Sequence, residues 1–451
     1  MFSRVLVANR GEVAVRVIRT LHDLGIEAVA IYSTADSESL HVRMADRAVC
    51  VGPPAAIDSY LNIASVIAAG TTTRCDAVHP GWGFLSERPA FVRACEDNEL
   101  VFIGPSADTM AKTGDKVRAK AEMARAGMPL IPGTDHAVEL DEARAAADEL
   151  GYPVLLKAAA GGGGRGMRLV ESPAELEDVF RGAAAEANAA FGDESLYVEK
   201  VVAPARHVEV QVLADGRGGV LTLGERECSI QRRHQKLIEE TPSPAVGDAL
   251  REEMEAAVER ASLELGYRSA GTFEFLLGPE GTFYFMELNA RLQVEHPVTE
   301  LVTGYDLVRE QIRVAAGEPL DRTGRAPRRG AAIEIRINAE DPTRGFAPAP
   351  GRIERFRAPL GPGVRVDTHV EPGTVVSPFY DSLVAKVVVW DETRDLAIAR
   401  GIRALSELEL TGIPTTRELS IAILRGEAFM SGRYSTSFLE ESAPVLAEVV
   451  G

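Results

Sequence analysis

The sequence predicts an α/β chain of several modules, and three observations carry that reading. Strand-like apolar runs alternate with helix-spaced apolar residues through the first 112 positions. A glycine cluster is pinned between two apolar runs near 154–156 and 167–170, and strand-like segments dominate from residue 202 onward.

The elements follow in order. An apolar run at 5–8 leads into Val13, Val17, Leu21 and Leu24 at helical spacing, then Gly25 and a second apolar run at 28–32, which is a βαβ unit. The pattern recurs through 48–51, 63–69, 77–79 and 101–103, predicting a small parallel sheet covered by helices to about residue 112. A dinucleotide fold would place G-x-G-x-x-G after the first strand. The residues there are Asn9-Arg10-Gly11-Glu12-Val13-Ala14, which excludes an NAD-dependent oxidoreductase. Residues 113–126 read as one helix closed by Gly127 and Pro129. The two runs around the glycines and an Ala-rich helical stretch at 173–190 then describe a compact α+β module. Strands are expected at 207–213, 220–223, 271–277 and 282–288, with helices near 248–265 and 304–316. A Pro/Arg/Gly-rich surface connection at 318–330 precedes strands at 333–338, 364–370 and 384–390. The expected domains are therefore 1–112, 113–201, 202–330 and 331–446.

Composition narrows the function. With 45% hydrophobic and 26% charged residues the chain is globular, and a formal charge of −18 argues against a nucleic-acid partner, which would need a basic face. The four cysteines, Cys50, Cys75, Cys95 and Cys228, form no C-x-x-C pair, so neither zinc nor a disulfide framework is indicated and a reducing cytoplasm fits best. Asn9, Arg10 and Glu12 interrupt any signal-peptide core, and no run of about 18 apolar residues suggests a membrane span.

Three stretches carry chemistry. Lys157 ends an apolar strand and is followed by Gly161-Gly162-Gly163-Gly164-Arg165-Gly166, where bare backbone N–H groups can approach phosphates. An arbitrary glycine cluster is more often a flexible hairpin tip, but the flanking strands and the cations Lys157 and Arg165 favour anion binding. It is not a Walker loop, since no Gly-Lys pair occurs in the chain. Glu274 and Glu287 sit among apolar strand residues, where burial demands partners, and with Asn289 they offer oxygen ligands to Mg²⁺. Solvent-facing glutamates are the ordinary alternative for either alone. Arg291, Gln293 and Glu295 alternate, so in extended backbone they share one face that can hold a small planar anion beside a proton acceptor. The donor-dense stretch from Cys228 to Lys236 suits a strand or loop reaching towards phosphate or carboxylate, or equally a solvated surface. Cys228 has no base beside it, and His207 carries little by itself.

Taken together, KAAAGGGGRGM, EKVVAPARHVEVQVLADG, ECSIQRRHQK, GTFEF, ELNARLQVEHPVTE and EIRINAEDP resemble the biotin carboxylases of the ATP-grasp superfamily, over nearly the whole chain. The resemblance implies an ATP-grasp fold with an N-terminal Rossmann-like domain, a mobile α+β lid and a mixed α/β C-terminal domain. It implies that Lys116 and Lys157 bind ATP phosphates under a lid that includes Gly163 and Gly164. Glu199, Lys200 and Val202 match adenine-holding positions, and His207, Gln231 and His234 match the nucleotide pocket. Lys236, Arg291, Gln293 and Val294 match bicarbonate-binding positions, Glu295 the general base, Glu274, Glu287 and Asn289 the Mg²⁺ or Mn²⁺ ligands, and Arg336 the arginine that meets biotin.

The implied reaction is ATP-dependent carboxylation of biotin by way of carboxyphosphate, the first half-reaction of an acetyl-CoA or acyl-CoA carboxylase. Ala290, Trp82 and Ala159-Ala160 depart from the usual family residues without removing a catalytic group. Met-Lys, the centre of the biotin attachment motif, is absent, so biotin is expected on a biotin carboxyl carrier protein or domain, with a carboxyltransferase completing the reaction. Arg19 resembles a dimer-contact arginine, which points to a homodimer. Two alternatives stand beside this reading: a carbamoyl-phosphate synthetase-like ligase, and an inactive nucleotide-binding scaffold subunit.

Overall fold

The computed structural model describes residues 1–159 and 166–442, apart from the side chains of 116, 117 and 191. The expected glycine positions Gly163 and Gly164 and the side chain of Lys116 therefore lie outside the described residues.

The N-terminal module is a five-stranded sheet in the order Arg47–Gly52, Glu27–Ser33, Arg4–Val7, Ala77–His79, Val101–Phe102, every neighbouring pair parallel. Its first helix, Gly11–Asp23, buries Val13, Val17 and Leu21, the residues whose spacing announced it. Gly25 reverses the chain after it at φ +68°, a conformation that suits glycine. The single helix expected at 113–126 is instead two, Ala107–Gly114 and Lys116–Arg125. Gly114 is a weak helix former, and the Asp115 carboxylate accepts from the Arg118 N–H at 3.0 Å, capping a new helix rather than continuing the old one.

The α+β module pairs Val154–Ala158 with Met167–Val170 on one side and Leu196–Lys200 on the other, all antiparallel. Helices Leu140–Leu150 and Leu176–Phe191 close its core of Ala143, Ala147, Val154, Leu156, Val170, Leu176 and Val198.

The remainder is built on one nine-stranded sheet. Its order runs Phe283–Asn289, Arg268–Leu277, Arg206–Asp215, Val220–Arg232, Gln235–Thr241, Ala331–Asn338, Leu383–Asp391, Val364–Thr368, with Gly324–Arg325 paired alongside Val220–Arg232. The sheet crosses without a break from Gln235–Thr241 to Ala331–Asn338.

In Arg206–Asp215 alternate residues divide. Val208, Val210 and Val212 pack with Phe273, Phe275 and Phe285 against Met254, Val258 and Ala261 of the helix Asp248–Glu264, which leaves His207, Glu209 and Gln211 on the opposite face. A one-residue slip would exchange the two sets, so apolar burial worth about 1.5–3 kcal/mol per side chain fixes which residues face the site. The N-terminal module is joined to this sheet through Val13, Val17 and Leu21, which share a core with Leu213, Leu221, Leu292 and Ile312.

Candidate active site

The polar face of the sheet gathers charges by register. Glu209 lies directly beside Glu274 on one side and Arg226 on the other. Lys236, from the next strand, sends its ammonium into this group: Nζ lies 2.6 Å from Glu209 Oε2, 3.0 Å from Glu274 Oε1 and 2.5 Å from Glu295 Oε1. His207, Glu209 and Glu274, and likewise Glu209, Cys228 and Glu295, lie close enough to suggest cation nests. In both groups Lys236 already supplies the cation. Burial opposes its charge, but the surrounding acidic groups outweigh burial and keep the ammonium protonated well above its ordinary range.

Glu295 is held from two sides. Arg336 donates from Nη2 to its Oε2 at 2.9 Å, and from Nε to Glu239 at 2.5 Å. Burial alone would raise the Glu295 carboxyl, yet Lys236, Arg336 and Arg226 together hold it well below the usual range, so it is ionised. For Glu239 burial prevails over Arg336 and pushes it up to about 7.

Arg226 has no solvent exposure and is saturated. It donates to Glu209 (2.5 Å), Gln211 (2.7 Å), Gln293 (2.7 Å), Thr299 (3.0 Å) and Thr272 (3.2 Å). Because Gln293 accepts through Oε1, its Nε2 is left to donate to Glu274 at 2.7 Å.

Glu274 and Glu287 are cross-strand partners, and a bulge follows them. The expectation that both are buried holds only for Glu274; Glu287 is exposed, because the bulge turns Met286 and Glu287 outward. Glu274 accepts from Asn289 at 2.8 Å and pairs with His207 Nε2 at 2.8 Å, and Arg291 donates to Asn289 Oδ1 at 2.7 Å. Like charges directly opposite each other repel, and this pair with the Asn289 amide offers only oxygen donors at the rim of the buried group. That donor set fits a hard divalent cation such as Mg²⁺ or Mn²⁺.

The segment after Asn289 is not the extended strand that its alternation suggested. The strand stops at Asn289, and the helix His296–Thr303 starts with a proline in its first turn, which fits proline's fixed φ. Residues 290–295 turn between them, so Arg291, Gln293 and Glu295 reach the site from a bend rather than from one strand face. Arg291 is braced by Glu87 at 2.8 Å, a residue of the N-terminal module.

The other expected residues lie around this centre. Lys157 ion-pairs with Glu199, as does Lys120, so the buried Glu199 carboxylate joins two ammonium groups. Lys200 is exposed at the end of the same strand, and Val202 is half-buried just beyond it. Gln231 is half-buried near the end of Val220–Arg232, and His234 is exposed in the two-residue turn Arg233-His234, both members at positive φ (46° and 67°). Lys116 opens the helix Lys116–Arg125.

Sequence reading missed Glu209, Arg226, Lys120, Glu87 and Glu239. For Glu209 a signal existed: in HVEVQV, polar residues alternate with valines, which marks a strand that turns its valines to a core and gathers His207, Glu209 and Gln211 on the other face. Separately, a cavity of about 330 Å³ opens beside Arg10, Glu12, Trp82, Phe84, His369 and Tyr380.

Comparison with known proteins finds relatives over nearly the whole chain. Residues 1–110 match the family described as biotin carboxylase, N-terminal domain; 115–323 match carbamoyl-phosphate synthase L chain, ATP binding domain; and 334–441 match biotin carboxylase C-terminal domain. Biotin carboxylase of Nostoc sp. is 51% identical over 98% of this chain and 99% of its own length. Biotin carboxylase 1 of Bacillus subtilis is 49% identical over 98% of this chain and 98% of its own. Among solved structures, the biotin carboxylase domain dimer of Hydrogenobacter thermophilus 2-oxoglutarate carboxylase, in complex with MgADP, ADP and bicarbonate, superposes with a TM-score of 0.93 at 46% identity over 99% of both chains. A biotin carboxylase complex with β,γ-ATP from Campylobacter jejuni gives 0.94 at 44% over 98% of this chain and 99% of that one.

Proposed function

The chain belongs to the biotin carboxylase family, and on that premise we propose that it carboxylates biotin with bicarbonate at the expense of ATP, using the residues gathered around Lys236. The observation that carries the assignment is Glu295, a buried ionised carboxylate shared by Lys236 and Arg336, with Gln293 and Arg291 on the same turn.

Bicarbonate docks on Lys236, Arg291, Gln293 and the Val294 backbone. In doing so it draws the Lys236 ammonium away from Glu295, whose basicity rises as that contact weakens, so the carboxylate accepts the bicarbonate proton when the substrate is in place. The bicarbonate oxygen then attacks the γ-phosphoryl group of ATP, giving carboxyphosphate and ADP. Glu274, Glu287 and Asn289 would hold a divalent cation, which would supply positive charge against the phosphates. Lys116 and Lys157 serve the same end, and Lys157 leaves Glu199 to do so. Carboxyphosphate yields CO₂ and phosphate, the phosphate removes the ureido proton of biotin, and Arg336 stabilises the resulting enolate as it captures CO₂. The lid, Gly163 and Gly164 included, shields carboxyphosphate from water. Glu199, Lys200, Val202, His207, Gln231 and His234 surround the nucleotide. The aromatic-walled cavity beside Trp82 and Tyr380 has the dimensions of a small-molecule site and offers biotin a way in.

Biotin is supplied on a carrier protein or domain, a carboxyltransferase passes the carboxyl group to its acyl acceptor, and two copies of the chain pair as a homodimer. No helix among the described residues is long and apolar enough to cross a membrane. All four cysteines are free, which suits the cytoplasm. The domains 1–112, 113–201, 202–330 and 331–446 divide the labour into scaffold, lid, metal and anion site, and biotin-facing module.

The test is ADP release by the purified chain with Mg-ATP. Bicarbonate-dependent turnover stimulated by free biotin is expected; stimulation by ammonia in place of biotin would overturn the assignment in favour of a carbamoyl-phosphate synthetase-like ligase.

A further inference from the structure

The turn that carries Val294 and Glu295 is held by more than the charges that face bicarbonate. The Gln293 carbonyl accepts a hydrogen bond from Nδ1 of His296 at 2.7 Å, and the Val294 carbonyl accepts one from Nζ of Lys386 at 2.9 Å. A peptide unit is planar, so each bond fixes a whole plane. His296 fixes the plane that contains the Val294 N–H, and Lys386 fixes the plane that contains the Glu295 N–H.

Both donors have no solvent exposure. A carbonyl can only accept, which places the His296 proton on Nδ1. Burial, together with Lys386, Arg16 and Arg365 nearby, holds that ring neutral. Lys386 stands directly opposite Arg336 in the sheet, so two cations on one face address consecutive residues: Arg336 holds the Glu295 carboxylate and Lys386 the Val294 carbonyl. The charge of Lys386 is matched by Glu12, near the start of the first helix of the N-terminal module, with Asp367 3.7 Å away. Stability alone does not call for this arrangement, since buried ion pairs are commonly replaceable by apolar groups without loss.

We propose that Lys386 and His296 are positioning residues of the anion site, which pin the two peptide planes flanking Val294 and so aim the Val294 backbone and the Glu295 carboxylate at bicarbonate. The proposal rests on the bicarbonate reading above. It also makes Glu12 a second tie, beside Glu87, between the N-terminal module and the geometry of that turn.

The experiment compares three variants of the full chain by ADP release over a range of bicarbonate concentrations, with thermal unfolding as a control. His296→Phe removes one donor. Lys386→Met combined with Glu12→Gln removes the other without leaving a lone buried charge. His296→Asn keeps an amide donor close to the place of Nδ1 in a smaller side chain. The first two are expected to raise the bicarbonate KM by about tenfold, the size of one lost hydrogen bond, while the ATP KM stays within about twofold. His296→Asn is expected to recover most of the wild-type bicarbonate KM. An unchanged bicarbonate KM in the first two variants would overturn the proposal. So would parallel losses in ATP KM and thermal midpoint, or a His296→Asn variant as impaired as His296→Phe. A wild-type chain whose turnover ignores bicarbonate would instead overturn the functional reading beneath it.

Discussion

Replacing Lys236 by methionine removes the one ammonium shared by Glu209, Glu274 and Glu295. At an effective dielectric near 20, each contact at this range is worth about 5 kcal/mol before desolvation. The net cost of breaking a buried pair by deleting one partner is about 3–5 kcal/mol. Here the loss falls at the lower end, about 3 kcal/mol, because each carboxylate keeps another donor: Arg226 for Glu209, Asn289, Gln293 and His207 for Glu274, and Arg336 for Glu295. The folded chain therefore survives with a lowered thermal midpoint. Bicarbonate loses a charge-assisted hydrogen bond worth about 1.5–3 kcal/mol, so kcat/KM for bicarbonate falls by about 10- to 150-fold. The assay is steady-state ADP release at saturating Mg-ATP with bicarbonate varied, run beside thermal unfolding. If Lys236→Met loses stability but keeps kcat/KM for bicarbonate within about threefold, Lys236 only neutralises the carboxylates and the anion sits elsewhere.

Two further outcomes follow from strain and burial. Arg233 and His234 form a two-residue turn with both φ positive, where Asn-Gly would be at ease; Arg233→Asn with His234→Gly should raise the thermal midpoint, by about 1 kcal/mol of relieved strain, while raising the ATP KM through loss of His234. A rise in stability with no change in ATP KM would remove His234 from the nucleotide pocket. Burial lowers His41 to about 4 and His79 to about 3, from an ordinary value of 6.5. Their folded values lie below the unfolded one, so their contribution is present above pH 6.5 and is lost as pH falls towards those values, at about 1.4 kcal/mol per pH unit for each. The thermal midpoint should drop between pH 6.5 and 4.5, and His41→Asn should flatten that slope; an unaltered slope would show that His41 is not buried neutral.

What the sequence made legible followed from patterns confined to short windows. The N-terminal strands could be read because runs such as 28–32 are apolar on both faces, as a covered parallel sheet requires. The bend at 290–295 was misread because Arg291, Gln293 and Glu295 mimic strand alternation; the stronger signal was Pro297, which suits a first helical turn and not a central strand. Arg226 was not legible at all. Cross-strand register brings Glu209, Gln211 and Thr272 to its guanidinium, and the bend and helix after Asn289 bring Gln293 and Thr299, so its partners are scattered from position 209 to position 299 of the sequence. Lys386 left a fainter trace, a single cation inside LVAKVVVW, where a buried strand cannot hold a charge without a partner. The partner, Glu12, lies in the opposite end of the sequence and belongs to a different module.

The charges of the site alternate along one path: Glu239, Arg336, Glu295, Lys236, Glu209, Arg226, with Glu274 branching from Lys236. An anion entering this path competes with Glu274 for the Lys236 ammonium, and a divalent cation engaging Glu274 competes with Lys236 for the carboxylate. Each event therefore lowers the cost of the other, and linkage makes the effect mutual. Bicarbonate should bind more tightly when Mg-ADP is present, and Mg-ADP more tightly when bicarbonate is present, by the same factor of about 5 or more. Titration calorimetry of each ligand with and without the other measures both legs, free of turnover. Equal affinities in the two arms would mean that Lys236 does not move between carboxylate and anion, and that the proton-accepting role proposed for Glu295 requires some route of activation other than release from its ammonium.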